Sequence, residues 1–502
     1  MLKDNIKKIS ARSAIFNYIG KSVLAVVDAV AFILITKKLT IDDYGIYAFS
    51  LAVLTFFAFF LPLGLPNALA RFIPEYFEKG KKDAAVFITR VSLCIIIALG
   101  TFLIASAFFV SDNLSFIFKI GQLKELFFLL VLAGVLKTIA RTGEVILNSL
   151  FLQIYRNLCQ ILTSLLQLSL FIIVLYYELG IKALIMAISV AALFQSLVYF
   201  VKVFSHFSDV KLKKKPSGDE LKRFYIFSTK EYLFKIFSFF WDMSFDIYII
   251  AYLLGPRSAG LFGFAASISF FLFYWSPGMV VQPIISPLFV RQHTRHRETQ
   301  ELNKLFQFYN KFKAFFAFPM VLGVWLLADK FVMVVYQGKF ISAVLPLKIL
   351  VLFIMLQAFM RPMKNIFDVL EKNEFPLYSN IIIIYRILAS LLLIRYFGIT
   401  GAACAYGSSI MFIFLIQLFF LKRIIKINYP IGSFLKILFN SLIMAVAVLT
   451  LRHYAGNSLL WIIITALAGI LIYFSLSFIN KPFRKEERDL INNGLGVAAW
   501  HF

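Results

Sequence analysis

Charged residues are scarce in this chain of 502 residues, at 15% of the composition, whereas hydrophobic residues make up 61%. Soluble domains contain about a quarter charged residues. A fold surrounded by water has too little interior to bury so much apolar surface. The composition therefore excludes an ordinary soluble protein and indicates an integral membrane protein.

Cysteine and histidine are also rare, with three and five residues. Cys94, Cys159 and Cys404 lie in apolar segments without a CxxC motif, so we interpret them as packed thiols. None of the histidines has metal-ligand spacing on a helix. We therefore expect no metal, no cofactor and no covalent catalysis, so the protein is not expected to be an enzyme.

Long apolar stretches fill most of the chain, and a membrane-spanning helix needs about 20 such residues. The stretches do not alternate apolar and polar residues as the strands of a membrane barrel do. We predict an all-α integral membrane protein with about fourteen transmembrane helices. The predicted spans are 13–36, 44–66, 85–110, 123–147, 153–177, 181–204, 226–254, 259–289, 307–328, 346–370, 377–397, 399–421, 433–451 and 458–479.

Acidic residues number only 26 against 51 basic ones, and the basic residues cluster on alternate connections. The clusters lie at 79–82, 211–215, 291–297, 422–426 and 481–488. Basic residues concentrate in the cytoplasmic loops of membrane proteins. The pattern predicts a multi-pass protein of the cytoplasmic (plasma) membrane with both termini in the cytoplasm. It accounts for the positive charge without a nucleic-acid partner.

The two halves of the chain resemble each other. LTIDDYGIYAF at 39–49 aligns with LGPRSAGLFGF at 254–264, which places Gly45 opposite Gly260. We predict two repeated six-helix lobes around a central cavity, an architecture found in transporters. The predicted segments are an N-terminal lobe at 1–206, a basic cytoplasmic linker at 207–225, a C-terminal lobe at 226–425, two additional helices at 426–480 and a cytoplasmic tail at 481–502.

Four predicted spans have polar residues along one helical face. These stripes are Asn17, Lys21 and Asp28 on the first span; Lys137, Arg141, Glu144 and Asn148 on the fourth; Glu231, Lys235, Ser238, Asp242 and Asp246 on the seventh; and Gln357, Arg361, Lys364 and Asp368 on the tenth. A charge at the bilayer centre costs roughly 2.5 to 3.5 kcal/mol on insertion scales, so the stripes must face a cavity or each other.

The chemistry of the stripes suggests two roles, with structural pairing across helices as the alternative for any single residue. Ammonium and guanidinium groups suit phosphate oxygens, so the candidates for an anionic ligand are Lys21, Lys137, Arg141, Lys235, Arg361 and Lys364. The candidates for ion coupling or for ion pairs in the cavity are Asp28, Glu144, Glu231, Asp242, Asp246 and Asp368. Proline and glycine at Pro62, Gly64, Pro66, Pro277, Gly278, Pro283 and Pro287 are expected to break the second and eighth spans.

The segment LTIDDYGIYAFSLAVLTFFAFFLPLGLPNALARFIPEYFEKGKKDAA at 39–85 and the run GITGAACAYG at 398–407 resemble the Wzx-type polysaccharide flippases of the multidrug/oligosaccharidyl-lipid/polysaccharide superfamily. The resemblance implies alternating access around a V-shaped cavity and a polyprenyl-pyrophosphate-linked oligosaccharide as cargo. It also implies functional basic residues at Lys21, Arg71 and Lys235. Membrane lipids and glycan polymerase or glycosyltransferase machinery are the other implied partners.

Three other functions compete with this one. A lipid II flippase has the same number of spans, whereas a multidrug exporter of the MATE type usually has twelve and binds cations. A membrane glycan polymerase or ligase would need a long extracytoplasmic loop with catalytic residues. No predicted outside connection exceeds about twenty residues, in line with ordinary loop lengths.

Overall fold

The computed structural model describes residues 2–118, 121–208, 210, 215–280, 282, 285, 288–289, 299–372, 374–454, 456, 458–495 and 501–502. Within these ranges the regular secondary structure is helical and contains no strand, which confirms the predicted all-α class. The chain divides into two compact units, residues 1–260 and residues 261–502. The lobe boundaries at residues 206 and 226 stay a prediction.

The first unit is built around helix α5, which packs against α2, α3, α4 and α7. Its described helices are α1 (Leu2–Lys38), α2 (Ile41–Phe60), α3 (Leu65–Glu78), α4 (Lys82–Phe118), α5 (Leu123–Ser149), α6 (Gln153–Tyr176), α7 (Gly180–Phe207), α8 (Gly218–Phe239), α9 (Met243–Leu254) and the first turn of α10 (Pro256–Tyr274). Buried apolar side chains of α3, α5 and α7, such as Phe72, Ile146 and Tyr199, form one continuous core.

The second unit is built around α12, which packs against α13, α16 and α17. Its described helices are the remainder of α10, α11 (Pro277–Val280), α12 (Thr299–Tyr336), α13 (Val344–Val369), α14 (Glu374–Tyr378), α15 (Ile382–Ile424), α16 (Ile431–Tyr454), α17 (Leu459–Asn480) and α18 (Lys485–Leu495). One core of this unit joins α12, α13 and α15 through side chains such as Phe306, Phe367 and Leu421.

Polar side chains fix where several helices begin. The hydroxyl of Thr40 accepts a hydrogen bond from the backbone N–H of Asp43 at the start of α2, at 3.1 Å. Ser217 and Glu220 form a reciprocal capping box at the start of α8. Such caps satisfy backbone donors that have no partner within the helix.

The expected interruption of the second span lies between α2 and α3. Gly64 precedes α3 with a positive φ of 73°, and a Cβ atom there would overlap the carbonyl oxygen of Ser228 on α8. Only glycine suits both the left-handed conformation and this close approach. In the eighth span Pro277 begins α11, whereas Pro283 and Pro287 lie outside the described residues.

The seventh span differs from the expected straight helix. It consists of α8 and α9, which meet at a bend of 49°. Asp242 caps α9, because its carboxylate accepts a hydrogen bond from the backbone N–H of Ser244 at 2.8 Å. The polar stripe predicted to run from Glu231 to Asp246 on one helix is therefore divided between two helices, and this continuity was wrong.

Helix α15 contains a reversal at Gly398, whose φ is 59°. A Cβ atom on Gly401 would overlap the carbonyl oxygen of Leu393, so the two arms of α15 lie against each other. This reversal separates the two predicted spans that end at residue 397 and begin at residue 399.

The described part of the chain contains ten helical segments that are long and apolar enough to cross a membrane, or eleven when α8 and α9 count as one span. The two arms of α15 belong to a single one of these segments, and α1 and α5 are not among them. The protein is thus a multi-pass membrane protein, and the number of fourteen spans is not confirmed.

Candidate functional site

Asp28 on α1 and Lys137 on α5 form the first charged group of the N-terminal unit. Their opposite charges lie close enough to interact, and the charge of Asp28 also acts on Tyr47 of α2. Sequence reasoning placed the two residues on separate stripes, with pairing across helices as the alternative to a functional role. Lys21 is exposed on α1, while the side chain of Asn17 on the same predicted stripe lies outside the described ones.

Arg141 on α5 and Lys235 on α8 form a second group in this unit, and it contains two like charges. Lys235 interacts unfavourably with Arg141 and favourably with Glu231, one turn earlier on its own helix. Glu231 also accepts a hydrogen bond from the amide of Asn67 on α3, at 2.5 Å. The ammonium of Lys235 stands 5.8 Å from the ring centre of Phe59. Lys235 thus has one like charge and one opposite charge close to it.

Glu144 has a partner that was not among the predicted residues. The guanidinium of Arg156 on α6 lies 3.7 Å from the carboxylate of Glu144, and it donates a hydrogen bond of 3.0 Å to the side chain of Asn148. Arg156 lies in the first turn of α6, outside every stripe, so helical spacing gave no signal for it. The pair makes Glu144 part of an ion pair between α5 and α6.

Arg71 on α3 is exposed and lies over aromatic rings. Its guanidinium carbon is 4.7 Å from the ring centre of Phe227 on α8 and 5.5 Å from that of Phe72. A guanidinium held over rings keeps most of its hydrogen-bond donors free. Asp246, in contrast, is completely buried on α9.

In the second unit Lys364 and Asp368 lie one helical turn apart on α13 and interact with each other. Arg361 lies one turn earlier, where its charge acts on Tyr309 and Lys313 of α12. Lys313 is only 2% exposed and was not among the predicted residues. Its sequence context, NKFKAFF, offers no signal beyond two basic residues at the start of an apolar run.

A further set of charges in the first unit joins α3 and α8 at their polar ends. Arg223 donates hydrogen bonds of 2.6 and 3.2 Å to the carboxylate of Glu75, and Lys79 donates another of 2.6 Å. Hydrogen bonds from Arg223, and then from Lys79, lower the pKa of Glu75 to about 2. Lys81 donates a hydrogen bond of 2.5 Å to Glu220 and lowers the pKa of that carboxyl in the same way.

The cations outnumber the acids around Lys235 and around Arg361. In the described part of the chain, no set of three or more His, Cys, Asp or Glu side chains is arranged to hold a metal ion. Many apolar helices that contain charged side chains are characteristic of a membrane transporter.

The fold matches solved transporters of this class. The chain is similar to an inward closed structure of the lipid II flippase MurJ, with a TM-score of 0.74 and 19% identity over 95% of this chain and 99% of that one. It is similar to an inward-facing MATE family multidrug resistance transporter of the MOP superfamily, with a TM-score of 0.66 and 16% identity over 82% and 98% of the two chains. An outward-facing structure of such a transporter gives a TM-score of 0.55 and 18% identity over 82% and 94%.

The sequence itself identifies the family. Residues 34–345, more than half of the chain, match the polysaccharide biosynthesis protein family, so the chain belongs to this family. No curated protein matches the chain.

Proposed function

We propose that this protein is a flippase that carries a polyprenyl-phosphate- or pyrophosphate-linked oligosaccharide from the cytoplasmic leaflet to the outer leaflet by alternating access. Membership of the polysaccharide biosynthesis protein family supports a glycan as cargo. The fold shared with a lipid II flippase over 95% of the chain supports a lipid carrier. A transport cycle needs no covalent chemistry, so the protein is proposed not to be an enzyme.

The observation that carries the anion-binding role is the approach of Arg141 and Lys235 on separate helices. The charge of Arg141 acts unfavourably on Lys235, and the charge of Glu231 acts favourably on it. A phosphate or pyrophosphate group accepts hydrogen bonds from both guanidinium and ammonium groups. A bound head group would therefore replace the repulsion with attraction at both side chains.

The remaining cations extend this role. Lys21, Arg71 and Lys137 of the first unit and Arg361 and Lys364 of the second are proposed to contact the anionic head group at some stage of transport. The prenyl chain stays in the lipid, where it needs no polar contact.

Ion coupling is proposed for Asp28. Its interaction with Lys137 supports an alternation in which the carboxylate pairs with the lysine in one state and binds a proton or a sodium ion in another. Asp242 and Asp246 are further candidates. Glu144, Glu231 and Asp368 are proposed as cavity ion pairs with Arg156, Lys235 and Lys364.

The location and partners follow from the same proposal. The distribution of basic residues supports the cytoplasmic membrane, with both termini in the cytoplasm. The machinery that makes or polymerises the glycan is the proposed partner. Accessibility of cysteines introduced near each terminus to a membrane-impermeant maleimide, in intact and in opened cells, tests this orientation.

Deleting the gene tests the function, because the lipid-linked glycan should then accumulate on the cytoplasmic leaflet. Wild-type protein should restore export, whereas the Arg141→Gln/Lys235→Gln and Lys21→Ala/Lys235→Ala variants should not. Lys230→Ala is the matched control, since Lys230 is an exposed lysine on the same helix as Lys235. Full export by the double variants at normal expression would contradict the anion-binding role.

A lipid II flippase is the second candidate, favoured by the TM-score of 0.74 with that protein. This candidate predicts that the chain supports growth of cells depleted of their own lipid II flippase. Intracellular accumulation of a cationic drug after deletion would instead favour a multidrug exporter.

A further inference from the structure

Pro319 lies inside α12 and Pro362 lies inside α13. Proline has no backbone N–H, so the carbonyl four residues earlier loses its helical partner. The carbonyls concerned are those of Phe315 and Ala358. Within a membrane such groups need another donor, because no water is available to them.

Side chains of neighbouring helices supply both donors. The ammonium of Lys313 on α12 donates a hydrogen bond of 2.6 Å to the carbonyl oxygen of Ala358 on α13. The hydroxyl of Tyr473 on α17 donates one of 2.6 Å to the carbonyl oxygen of Phe315 on α12. Lys313 and Tyr473 are each 2% exposed, so neither hydrogen bond competes with bulk water.

The packing around Lys313 leaves it little freedom. A Cβ atom on Gly278 would lie 2.9 Å from Cγ of Lys313, so the absence of a side chain at Gly278 makes room for the lysine. The ring of Tyr309 lies 4.1 Å from the ammonium, and its hydroxyl donates a hydrogen bond of 3.2 Å to the carbonyl of Gly278. The direction of the Lys313 side chain is thereby fixed.

We propose that Lys313 is a positioning residue for Arg361, which it controls through the proline kink. Arg361 directly precedes Pro362 and follows Ala358 by less than one helical turn. By holding the carbonyl of Ala358, Lys313 fixes the bend of α13 where the Arg361 guanidinium emerges. This inference rests on the proposed function, in which Arg361 contacts the anionic head group.

Tyr473 on α17 acts on the proline of α12 as Lys313 acts on the proline of α13. It holds the carbonyl of Phe315, which follows Lys313 by two residues, so a change in the bend at Pro319 moves the lysine as well. The two hydrogen bonds link α17, α12 and α13 in series.

A double-mutant cycle tests the proposal on the purified full-length protein with farnesyl pyrophosphate as the probe. Lys313→Met should weaken binding of the probe about as much as Arg361→Gln, by roughly fivefold or more. Pro362→Ala restores a backbone N–H to the carbonyl of Ala358. The Lys313→Met/Pro362→Ala variant should therefore bind the probe more tightly than Lys313→Met but more weakly than wild type, because α13 is ordered again but straighter. Binding as weak as in Lys313→Met alone would overturn the proposal.

The shape of α13 supplies a readout that does not depend on the ligand. Cys94, Cys159 and Cys404 are replaced by alanine, and spin labels are attached at Leu345 and Lys372, exposed residues on either side of Pro362. The distribution of distances between the two labels should be narrow in the wild type and broad in Lys313→Met. In Lys313→Met/Pro362→Ala it should be narrow again and centred at a longer distance. Unchanged distances in Lys313→Met would show that the hydrogen bond from Lys313 to the carbonyl of Ala358 does not fix the bend of α13. If the distances change as expected but Arg361→Gln binds normally, the proposed role of Arg361 fails, and with it the positioning role.

Tyr473→Phe keeps the test informative if Lys313→Met does not fold, because it removes a single hydroxyl. With spin labels on either side of Pro319, Tyr473→Phe should broaden the distribution of distances between the labels. Tyr473→Phe/Pro319→Ala should make this distribution narrow again. An equally broad distribution in that double variant would overturn the inference that Tyr473 fixes the bend of α12 at Pro319.

Discussion

Gly45 and Gly260 meet backbone to backbone in the first unit. A Cβ atom added to Gly260 would lie 2.8 Å from the Cα atom of Gly45, and one added to Gly45 would overlap the carbonyl oxygen of Pro256. The two glycines occupy equivalent positions in the aligned segments 39–49 and 254–264. Asp42 and Arg257 are also equivalent, 215 residues apart, and form an ion pair at 3.2 Å.

Gly45→Ala should destabilise the protein by about 1 to 3 kcal/mol, because the methyl group forces two closely packed backbones apart. The midpoint of thermal unfolding in detergent measures the effect. Gly323→Ala is the matched control, since a Cβ atom there meets nothing within 4 Å. An unfolding midpoint for Gly45→Ala equal to that of the control would argue against tight packing at this point.

The sequence predicted the helical class, the broken second span and the division at Gly398 because long apolar runs, proline and glycine leave strong signals. It missed the bend between Phe239 and Met243, where no proline or glycine lies and the signal is a capping aspartate within an apolar run.

The candidate site was predicted less completely. Helical spacing identifies residues on one face of one helix, so it found the stripe with Lys137 and Arg141. It does not show which helices are neighbours, so Arg156 as partner of Glu144 and Lys313 beside Arg361 could not be predicted. Lys313 donates to the carbonyl of Ala358, which Pro362 leaves without a helical partner. The residues next to Lys313 in the sequence carry no pattern that would predict this contact.

Glu75 should make stability depend on pH. Its pKa lies at about 2 in the folded protein, below the ordinary value of 4.5. Its contribution is therefore complete above about pH 4.5 and is lost as the pH falls through about 2. The pairs are partly exposed, so the contribution is about 1 kcal/mol or less. Glu75→Gln should lower the thermal midpoint at pH 7, and its difference from wild type should shrink toward pH 3.

Glu78→Gln is the control for that comparison. Glu78 is exposed on the same helix and has no ion pair among the residues that the structure describes. A midpoint shift of equal size in both variants would mean that general charge, and not the contact with Arg223, determines the effect.

Asp28→Asn/Lys137→Met separates pairing from ion coupling. Asp28→Asn alone leaves Lys137 without its partner and should reduce the yield of folded protein. The double variant removes both charges and should recover the yield, measured by size-exclusion chromatography. If Asp28 binds the coupling ion, export by the double variant should stay at least about tenfold below wild type. Normal export would reduce Asp28 to a structural partner.

The ion pair of Lys311 and Glu487 is buried and should be costly to break. The ammonium of Lys311 on α12 lies 2.8 Å from the carboxylate of Glu487 on α18, and the side chains are 2% and 13% exposed. Glu487 also accepts a hydrogen bond from the backbone N–H of Arg484. Removing one partner of a buried pair costs about 3 to 5 kcal/mol, because the other charge stays buried without compensation.

Lys311→Met should therefore lower the unfolding free energy by that amount and release α18, so that trypsin cuts at Arg484 and Lys485. The Lys304–Glu301 pair on the same helix is the control, since Lys304 is 69% exposed. Lys304→Met should cost about 1 kcal/mol or less. Lys311→Met/Glu487→Leu should recover most of the stability, because no unpaired charge remains buried. If this double variant stays as unstable and as readily cleaved as Lys311→Met, then packing of the lysine stem holds the tail, and the charge of the pair does not.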